Sequence, residues 1–531
     1  MTAGTQGNAA ASPPERSLIA ATGWPWRIGV VVTAGFLLLR LPAMLHGFGM
    51  DDEPLYAVVA SEHMQGARLY TDVVDRKPPL LYAAYEAVFS VTGINMFAVH
   101  VAGALWTLLT MLGLAVVAGR LFGKNAGVMA AILYGLYSGW GPYSNLAWNG
   151  ELMTNLPIAW ALVVVFWRGQ SRLRPGLLAA GGLLACAFLL KQPGATAAIA
   201  LGLYPLLPAY RRSRGLTVWH SLLHAGFLCL GFAVVLGAMV LHLRAQGVLG
   251  DALYWAIRHH DMPRGPTDVI FWERLLVGGC FFALLCYPLL AGAVASLVRN
   301  SRALSWSGVE AERTALLLLL ACAVIGVSAS GRFYLHYFIL LLPGLALAAA
   351  PTFARLREGT APPGPWPLKR RASQWVLAVS AVAFFAMHAG GLAKRKTGSE
   401  ASAYIRNHST PSERIFVWGE SPSLYLKSGR RPASRYISTF PLTGYPYGGV
   451  ISYEPPLGDT SARIVPGTWD ILDRELSQQA PRFIIDAEAT RPTPFYPWRN
   501  FPVLARLIEQ KYQRVYDARD GVVYQRIETG M

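Results

Sequence analysis

Apolar runs separated by short polar loops fill the chain up to about residue 396. A helix needs roughly 20 apolar residues to cross a bilayer, and many of these runs approach that length. The pattern therefore predicts a mainly α-helical, polytopic membrane protein with about eleven spans. We place them near residues 28–45, 97–119, 126–140, 151–167, 175–190, 194–209, 217–241, 275–298, 314–329, 337–354 and 373–393.

The pattern changes in residues 397–531. The segments "RIFVWG" and "PRFIIDA" have the form of buried strands, whereas "TWDILDRELSQQ" and "FPVLARLIEQKY" carry apolar residues at helical spacing. This alternation predicts a small C-terminal α/β domain. We therefore divide the chain into a disordered cytoplasmic N-terminus (1–27), a membrane domain (28–396) and a C-terminal domain (397–531).

Positive charge gathers in one set of alternate short loops, which the positive-inside rule assigns to the cytoplasm. This set includes Arg120 with Lys124, and Arg211 with Arg212 and Arg214, whereas residues 141–150 on the other side carry no lysine or arginine. An odd number of spans then places the C-terminal domain outside, together with the long first loop, residues 46–96. The basic run Lys394 to Lys396 opposes this orientation, but charge matters less where a long domain follows.

Composition supports a membrane protein, because 53% of the residues are hydrophobic and only 15% are charged. The net charge of +17 mostly reflects the cytoplasmic loops, so it does not indicate nucleic-acid binding. All five cysteines lie in apolar runs, where thiols behave as small hydrophobic groups. We therefore expect neither a disulfide framework nor a cysteine metal cluster.

The first span is followed by "DDEPLY", which contains Asp51, Asp52 and Glu53. A single acid beside a membrane helix is often only a solvated interface residue. Three adjacent carboxylates repel one another and are typical of a general base or a cation site. Glu151 stands at the start of the fourth span, where it either faces the interface or shares a cavity with Asp52.

Three cations lie at the same predicted outer edge as these acids: Lys77 in "DRKPPLLY", Lys191 in "LLKQPGA" and Arg332 in "SGRFYLHYF". Together they predict a pocket for an anion, with phosphate as the natural candidate. His259 and His260 in "RHHD" could hold a metal ion, but adjacent helical residues diverge by about 100°. We favour a polar loop near the site.

The stretch from Asp52 to Tyr82 resembles the membrane-integrated GT-C glycosyltransferases, specifically the branch of the protein O-mannosyltransferases and the lipid A aminoarabinose transferase. Their pattern is an Asp-Glu pair, then Tyr-Ala, a Gly before an aromatic residue, and Lys-Pro-Pro-Leu. The matching residues are Asp52, Glu53, Tyr56, Ala57, Gly66, Tyr70, Lys77, Pro78, Pro79 and Leu80. "HYFILLLPGLAL" and the topology are also similar to that family.

The resemblance implies transfer of a sugar from a polyprenyl-phosphate donor to a protein, lipid or polysaccharide acceptor, on the outer face of the bacterial cytoplasmic membrane. It implies Asp52 as catalytic base, Glu151 as a second acid and Lys77 as a phosphate ligand. The aminoarabinose transferase has Glu before its Lys-Pro, in a metal site, where this chain has Arg76. Arg76 would instead add a phosphate contact, so no cofactor is assigned and a divalent metal is left open.

Phosphate is already a competent leaving group, so the reaction needs one base and several cations. Direct attack would invert the anomeric centre. The predicted catalytic residues are Asp52, Glu53 and Glu151; the predicted phosphate ligands are Lys77, Arg76, Lys191 and Arg332; and the predicted substrate contacts are Tyr56, Tyr82, His336, Tyr337, His259 and His260. A transporter or lipid flippase without transferase activity is the alternative, and a membrane scaffold is a third hypothesis.

Overall fold

The computed structural model describes ten stretches of the chain: residues 26–45, 52–141, 146–167, 173–258, 266–299, 309–359, 370–394, 398–445, 459–491 and 494–527. Asp51, His259 and His260 lie outside the described residues, as does most of the predicted N-terminal segment.

The described residues of the membrane region are mostly helical. The helices are α1 (Trp26–Met44), α2 (Glu53–Met64), α3 (Pro79–Thr92), α4 (Met96–Phe122), α5 (Lys124–Tyr137), α6 (Gly150–Val165), α7 (Leu173–Leu190), α8 (Ala195–Leu203), α9 (Pro208–Arg214), α10 (Val218–Ala245), α11 (Leu249–Leu253), α12 (Val269–Leu285), α13 (Tyr287–Arg299), α14 (Glu310–Ser328), α15 (Leu342–Glu358) and α16 (Arg370–Lys394). A π-helical turn covers Tyr254–Arg258, and 3₁₀ turns include Gln192–Gly194 and Leu335–Leu341.

Each of the eleven predicted spans contains a helix, but the helices differ in length. Within the described ranges, six are long and apolar enough to cross a bilayer, or seven if α12 and α13 form one bent span. The six are Arg27–Met44, Met96–Phe122, Val218–Ala245, Glu310–Ser328, Leu335–Glu358 and Arg371–Gly390. The chain is therefore a multi-pass membrane protein.

Proline accounts for the places where a predicted span is interrupted. The run near 275–298 is two helices that meet at 85°, and Pro288 lies at the start of the second. The run near 194–209 is broken at Pro205 and Pro208. A proline lacks the backbone N–H that would continue the preceding helix.

Two shorter apolar helices, α6 and α7, lie inside the bundle. Helix α6 has 16 residues, so its length is about 24 Å, less than a bilayer core. Almost all of its residues are buried. In contrast, α10 and α16 expose most of their apolar side chains, as expected of helices that face lipid.

The C-terminal region is an α/β domain with a five-stranded mixed sheet. Its strands are β1 (Arg414–Trp418), β2 (Arg431–Pro432), β3 (Phe483–Asp486), β4 (Tyr512–Ala518) and β5 (Gly521–Arg526), in the order β2-β1-β3-β5-β4. Strand β1 pairs in parallel with β2 and β3, whereas β5 pairs antiparallel with β3 and β4. The helices are α17 (Glu400–His408), α18 (Ser423–Ser428), α19 (Phe440–Thr443), α20 (Thr468–Gln479) and α21 (Pro502–Lys511).

The predicted strands in "RIFVWG" and "PRFIIDA" and the two predicted helices, α20 and α21, are confirmed. The β4–β5 hairpin was not predicted. Strand β4 is half exposed, so it lacks the buried apolar run by which β1 and β3 were identified.

The C-terminal domain is anchored to the segment that follows α1. Glu62 near the end of α2 accepts from Arg431 Nη2 at 2.7 Å and from Arg431 Nε at 2.9 Å, and Arg414 lies 3.7 Å away. Farther along, the Val74 N–H donates to the Arg435 carbonyl oxygen at 3.0 Å. These contacts hold the Lys-Pro-Pro segment between the helical bundle and the α/β domain.

Candidate active site

Two tyrosines fix the backbone of the Lys-Pro-Pro segment. The Tyr70 hydroxyl donates to the Lys77 carbonyl oxygen at 2.8 Å, and the Lys77 N–H donates to the Tyr82 hydroxyl at 3.3 Å. The Tyr82 hydroxyl in turn donates to Asp75 at 2.7 Å. Tyr70 has a φ of 68°, which residues other than glycine rarely adopt. The Lys77 side chain therefore extends from a backbone that is held on both sides.

Asp52 and Lys77 face each other at the start of α2. Asp52 occupies the N-cap position, its Oδ2 lies 3.5 Å from Lys77 Nζ, and the same oxygen accepts from the Tyr56 hydroxyl at 2.7 Å. Lys77 Nζ also lies 5.7 Å from the centre of the Tyr56 ring. The Asp52 side chain is 37% exposed, so its carboxylate can be reached by a substrate.

Positive neighbours keep Asp52 ionised. Burial by itself raises the pKa of Asp52, but the charges of Lys77 and His336 and the Tyr56 hydroxyl together hold the pKa well below its usual range. Lys191 acts in the same direction. Burial lowers the pKa of Lys77, but Asp52 and Asp75 reverse this and leave the pKa above its ordinary value. The pair is therefore a carboxylate and an ammonium.

A second acid–lysine pair lies deeper. Lys191 Nζ donates to Glu151 Oε1, and His336 Nε2 lies 3.7 Å from the same oxygen. The Glu151 side chain is completely buried, and its Oε2 has no hydrogen-bond partner among the described residues. Lys191 Nζ also lies 4.8 Å from the centre of the Tyr337 ring. The charges of Lys191 and His336 extend to Asp52, so the two pairs form one electrostatic cluster.

Glycine at position 150 makes room for the second pair. A Cβ there would lie 2.7 Å from Lys191 Cδ and 3.1 Å from Lys191 Cβ. Any larger residue would displace the lysine stem that carries the charge to Glu151.

Glu53 does not face this cluster. Its side chain is completely buried; Oε1 accepts from the Trp148 N–H at 2.6 Å, and Oε2 lies 3.1 Å from His100 Nε2. Both oxygens are thus engaged inside the protein, because consecutive residues at a helix start point in different directions. This geometry does not support the predicted catalytic role of Glu53; it favours a role in holding α2 against α4.

The two predicted arginine contacts have protein partners in the structure. The Arg76 guanidinium stacks on Phe440 of α19, with its Cζ 4.2 Å from the ring centre. Arg332 Nη1 donates to the Tyr334 hydroxyl at 2.6 Å. Tyr82 is likewise occupied by Asp75 and the Lys77 backbone. Phosphate binding by the arginines and substrate binding by Tyr82 stay predictions.

The described carboxylates of the cluster are paired with lysines. Asp52 and Glu151 each face an ammonium group, which supplies the positive charge that a metal would otherwise provide. In the part of the chain that the structure describes, no group of three His, Cys, Asp or Glu residues is placed to hold a metal.

Sequence reasoning missed three residues that shape this site: Asp75, His100 and Gln192. Asp75 stands only two positions before Lys77, so its proximity was a usable signal. Gln192 directly follows Lys191, which was a similar signal, but its two acceptors lie far along the chain. His100 lies in an apolar run 47 residues from Glu53, and no local pattern marks it.

Residues 76–238 match the family model described as dolichyl-phosphate-mannose-protein mannosyltransferase. Two similar proteins are undecaprenyl phosphate-alpha-4-amino-4-deoxy-L-arabinose arabinosyl transferases. One, from Pseudomonas savastanoi pv. phaseolicola, is 31% identical over 157 residues, which are 27% of this chain and 28% of the relative. The other, transferase 2 of Pseudomonas fluorescens, is 31% identical over 177 residues, or 30% and 29% of the two chains. The matches thus span less than a third of these relatives.

Similarity in structure extends over nearly the whole chain. ArnT from Cupriavidus metallidurans bound to undecaprenyl phosphate superposes with a TM-score of 0.63 at 16% identity, covering 96% of this chain and 99% of that one. The archaeal oligosaccharyltransferase AglB from Archaeoglobus fulgidus, in complex with an inhibitory peptide and a dolichol-phosphate, gives a TM-score of 0.51 at 13% identity, with coverages of 97% and 74%.

Proposed function

We propose that this chain, which has the GT-C glycosyltransferase fold, is an inverting transferase that moves a sugar from a polyprenyl-phosphate donor to an acceptor. The fold is the one predicted from the sequence, and it is confirmed by the superposition on ArnT over 96% of the chain. The reaction is a proposal, because the matched relatives share less than a third of their length with this chain.

The contact between Asp52 and Lys77 carries the proposal. A partly exposed carboxylate whose pKa is held low lies 3.5 Å from a lysine on a fixed backbone. Transfer from a lipid phosphate requires one base for the acceptor and one cation for the leaving group. The two groups are present, adjacent and accessible.

The chemistry follows from these two groups. Asp52 takes the proton from the acceptor hydroxyl or amine, whose heteroatom attacks the anomeric carbon. The bond between the acceptor heteroatom and the anomeric carbon forms on one face of the sugar. The bond from the anomeric carbon to the phosphate oxygen breaks on the opposite face. The configuration therefore inverts. The departing polyprenyl phosphate keeps the electron pair, and Lys77 stabilises its negative charge.

Without substrate, Lys77 and Asp52 neutralise each other. When a donor phosphate pairs with Lys77, the positive charge of the lysine is shared with the phosphate and stabilises the Asp52 carboxylate less. Since Lys77 helps to lower the pKa of Asp52, this change makes the carboxylate a stronger base. Donor binding thus prepares the base for the acceptor, and donor should bind before acceptor.

The substrate classes are taken from the relatives. One solved relative contains undecaprenyl phosphate and the curated relatives are named for an aminoarabinose donor, so an undecaprenyl-phosphate pentose is the first donor to test. We place the reaction on the outer face of the bacterial cytoplasmic membrane from the distribution of positive charge. Lipid, protein and polysaccharide acceptors are all included in the proposal.

The test is sugar transfer by the purified chain in proteoliposomes, with undecaprenyl-phosphate aminoarabinose or mannose as donor and a membrane lipid extract as acceptor. We expect Asp52→Asn to lower kcat by about 10²–10⁴-fold, which is the usual contribution of a general base. Asp72→Asn is the matched control, since Asp72 is an exposed carboxylate bound to Arg68 in the same loop. Near-normal turnover by Asp52→Asn would reject the assignment.

A transporter or flippase is the competing function. It would place ionisable groups near the membrane midplane, often in repeated halves, whereas both acid–lysine pairs here lie at helix ends. A flippase would move the labelled donor across the bilayer without changing it. Appearance of polyprenyl phosphate and a glycosylated product excludes that function; translocation of intact donor alone supports it.

A further inference from the structure

Gln192 joins three segments that surround the site. Its Nε2 donates to the Arg76 carbonyl oxygen at 2.9 Å and to the Ala256 carbonyl oxygen at 2.8 Å. Arg76 directly precedes Lys77, and Ala256 belongs to the π-helical turn after α11. Gln192 itself directly follows Lys191. One amide therefore links the backbones that carry both lysines of the cluster.

A tight turn fixes Gln192 in this position. The chain leaves α7 at Lys191 and forms the 3₁₀ turn Gln192–Gly194, in which the Gly194 N–H donates to the Lys191 carbonyl oxygen at 2.8 Å. A Cβ at position 194 would lie 2.3 Å from the Ala187 carbonyl oxygen, so the turn packs directly on the end of α7. The backbone from which the Gln192 side chain extends is thus held in one conformation.

The chemistry of the contact requires a primary amide. A single nitrogen must supply two N–H donors to two carbonyl oxygens that lie on different segments. A carboxylate of the same shape would supply no N–H donor and would place a carboxylate oxygen against the two carbonyl oxygens. If both donors are lost, the two carbonyl oxygens stay partly buried without the glutamine amide as a hydrogen-bond partner. The free-energy cost of that desolvation exceeds the net contribution of an ordinary hydrogen bond to stability.

We propose that Gln192 is a positioning residue that holds the backbone of Lys77 in register with that of Lys191, so that the Lys77 ammonium group faces the donor phosphate. The kinetic consequence of this inference rests on the proposed transferase function. The clamp itself, by which we mean the two hydrogen bonds from Gln192 to the carbonyl oxygens of Arg76 and Ala256, is a property of the fold. A second link between the same segments, from Thr71 to Asp251 at 2.8 Å, is exposed to solvent and should contribute little.

The experiment compares Gln192→Ala and Gln192→Glu with wild type in the full-length chain. Gln192→Glu preserves volume but replaces the two donors with a carboxylate, whereas Gln192→Ala removes them without adding a charge, so a change in donor KM counts as loss of positioning only where both variants show it. Gln65→Ala is the matched control, since Gln65 is an exposed glutamine that also donates from Nε2 to a backbone carbonyl, that of Ser61 at 3.1 Å. Hydrogen–deuterium exchange is measured over residues 67–77 and 254–258, and donor and acceptor kinetics are measured in parallel.

We expect faster exchange in both segments for the two Gln192 variants and not for Gln65→Ala. We also expect the donor kcat/KM to fall by about 10–100-fold, mainly through donor KM, as a displacement of about 1 Å at a reacting group does. The acceptor KM should stay within about twofold of wild type, because the direct contacts of Asp52 do not include Gln192.

Wild-type donor KM in Gln192→Glu would overturn the positioning role, even if exchange were faster. A loss of active protein with unchanged donor KM would overturn it as well, since that result indicates a purely structural contribution. If wild type transfers no sugar from any donor tested, the proposed function fails, and the exchange measurement alone then decides whether the clamp exists.

Discussion

The site contains two acid–lysine pairs that differ in every property that matters for catalysis. Asp52 and Lys77 are 3.5 Å apart, with side chains 37% and 15% exposed. Glu151 and Lys191 are in direct contact, with exposures of 0% and 6%. The first pair is loosely spaced and partly exposed, whereas the second is in direct contact and buried.

This difference suggests different roles for the two ion pairs, one in the proposed reaction and one in the stability of the fold. A partly exposed ion pair contributes less to stability than a buried one, so Asp52 and Lys77 can exchange partners in the proposed reaction at a modest cost. A buried pair cannot lose one member without leaving a charge in a low-dielectric interior. In the proposed reaction, Glu151 and Lys191 therefore act as a fixed electrostatic background, while Asp52 and Lys77 are the groups assigned to the chemistry.

Removal of the buried lysine should have the largest effect on folding. Lys191→Met leaves the Glu151 carboxylate buried without its cation, and we expect a loss of about 3–5 kcal/mol in unfolding free energy. Thermal unfolding in detergent, followed by tryptophan fluorescence, measures the change. An unfolding temperature equal to that of wild type would show that the second pair is not a closed ion pair.

Removal of both members of the buried pair should be milder. In Glu151→Gln with Lys191→Met neither charge of the pair is left, and we expect at least half of the lost stability, about 2 kcal/mol, to return. The same unfolding assay gives the coupling between the two residues through a double-mutant cycle. Additive losses in the double variant would contradict direct pairing.

Lys77→Met should leave folding unchanged but impair use of the donor. We expect a donor KM about 10–100-fold higher, as a charged group that stabilises the departing phosphate is lost, with an unfolding temperature close to that of wild type. Steady-state kinetics at saturating acceptor measure this effect. A strongly lowered unfolding temperature with normal donor KM would reverse the roles of the two pairs.

Tyr56→Phe should give the smallest effect, a shift in the pH profile. The Tyr56 hydroxyl is one of the groups that lower the pKa of Asp52, so its loss raises that pKa. A base acts only when ionised, and activity is lost as pH falls through its pKa. The acidic limb of kcat/KM should therefore move to higher pH, with turnover at neutral pH reduced only a few-fold. An unmoved limb would remove Asp52 as the titrating group.

The sequence predicted those parts of the molecule whose residues are selected by contact with lipid or water. Apolar runs identify the spans because a bilayer imposes a minimum length, and Pro288 marks the break that hydropathy alone did not show. The acids and lysines of the cluster drew attention because charged groups at the ends of apolar helices are costly, whereas the choice of Asp52 among three adjacent acids rested on the family resemblance.

Sequence could not predict which of two adjacent acids enters the core. Asp52 and Glu53 are neighbours in the chain, yet one is partly exposed and the other is bonded to Trp148 and His100. The difference is set by His100 of α4 and by Trp148 in the segment before α6, which lie 47 and 95 positions away along the chain. Gln192 escaped notice for the same reason, since its two acceptors lie 116 and 64 residues away in the chain.

Helix α2 has consequences for anyone who recombines such proteins. Its 12 residues form a rod of about 18 Å with Asp52 at one end and the Glu62–Arg431 bond near the other. The α/β domain thus holds the far end of the helix that presents the proposed base. A chimaera that takes this domain from a relative must also take a cation for Glu62, or the base will lose its alignment although every catalytic residue is retained.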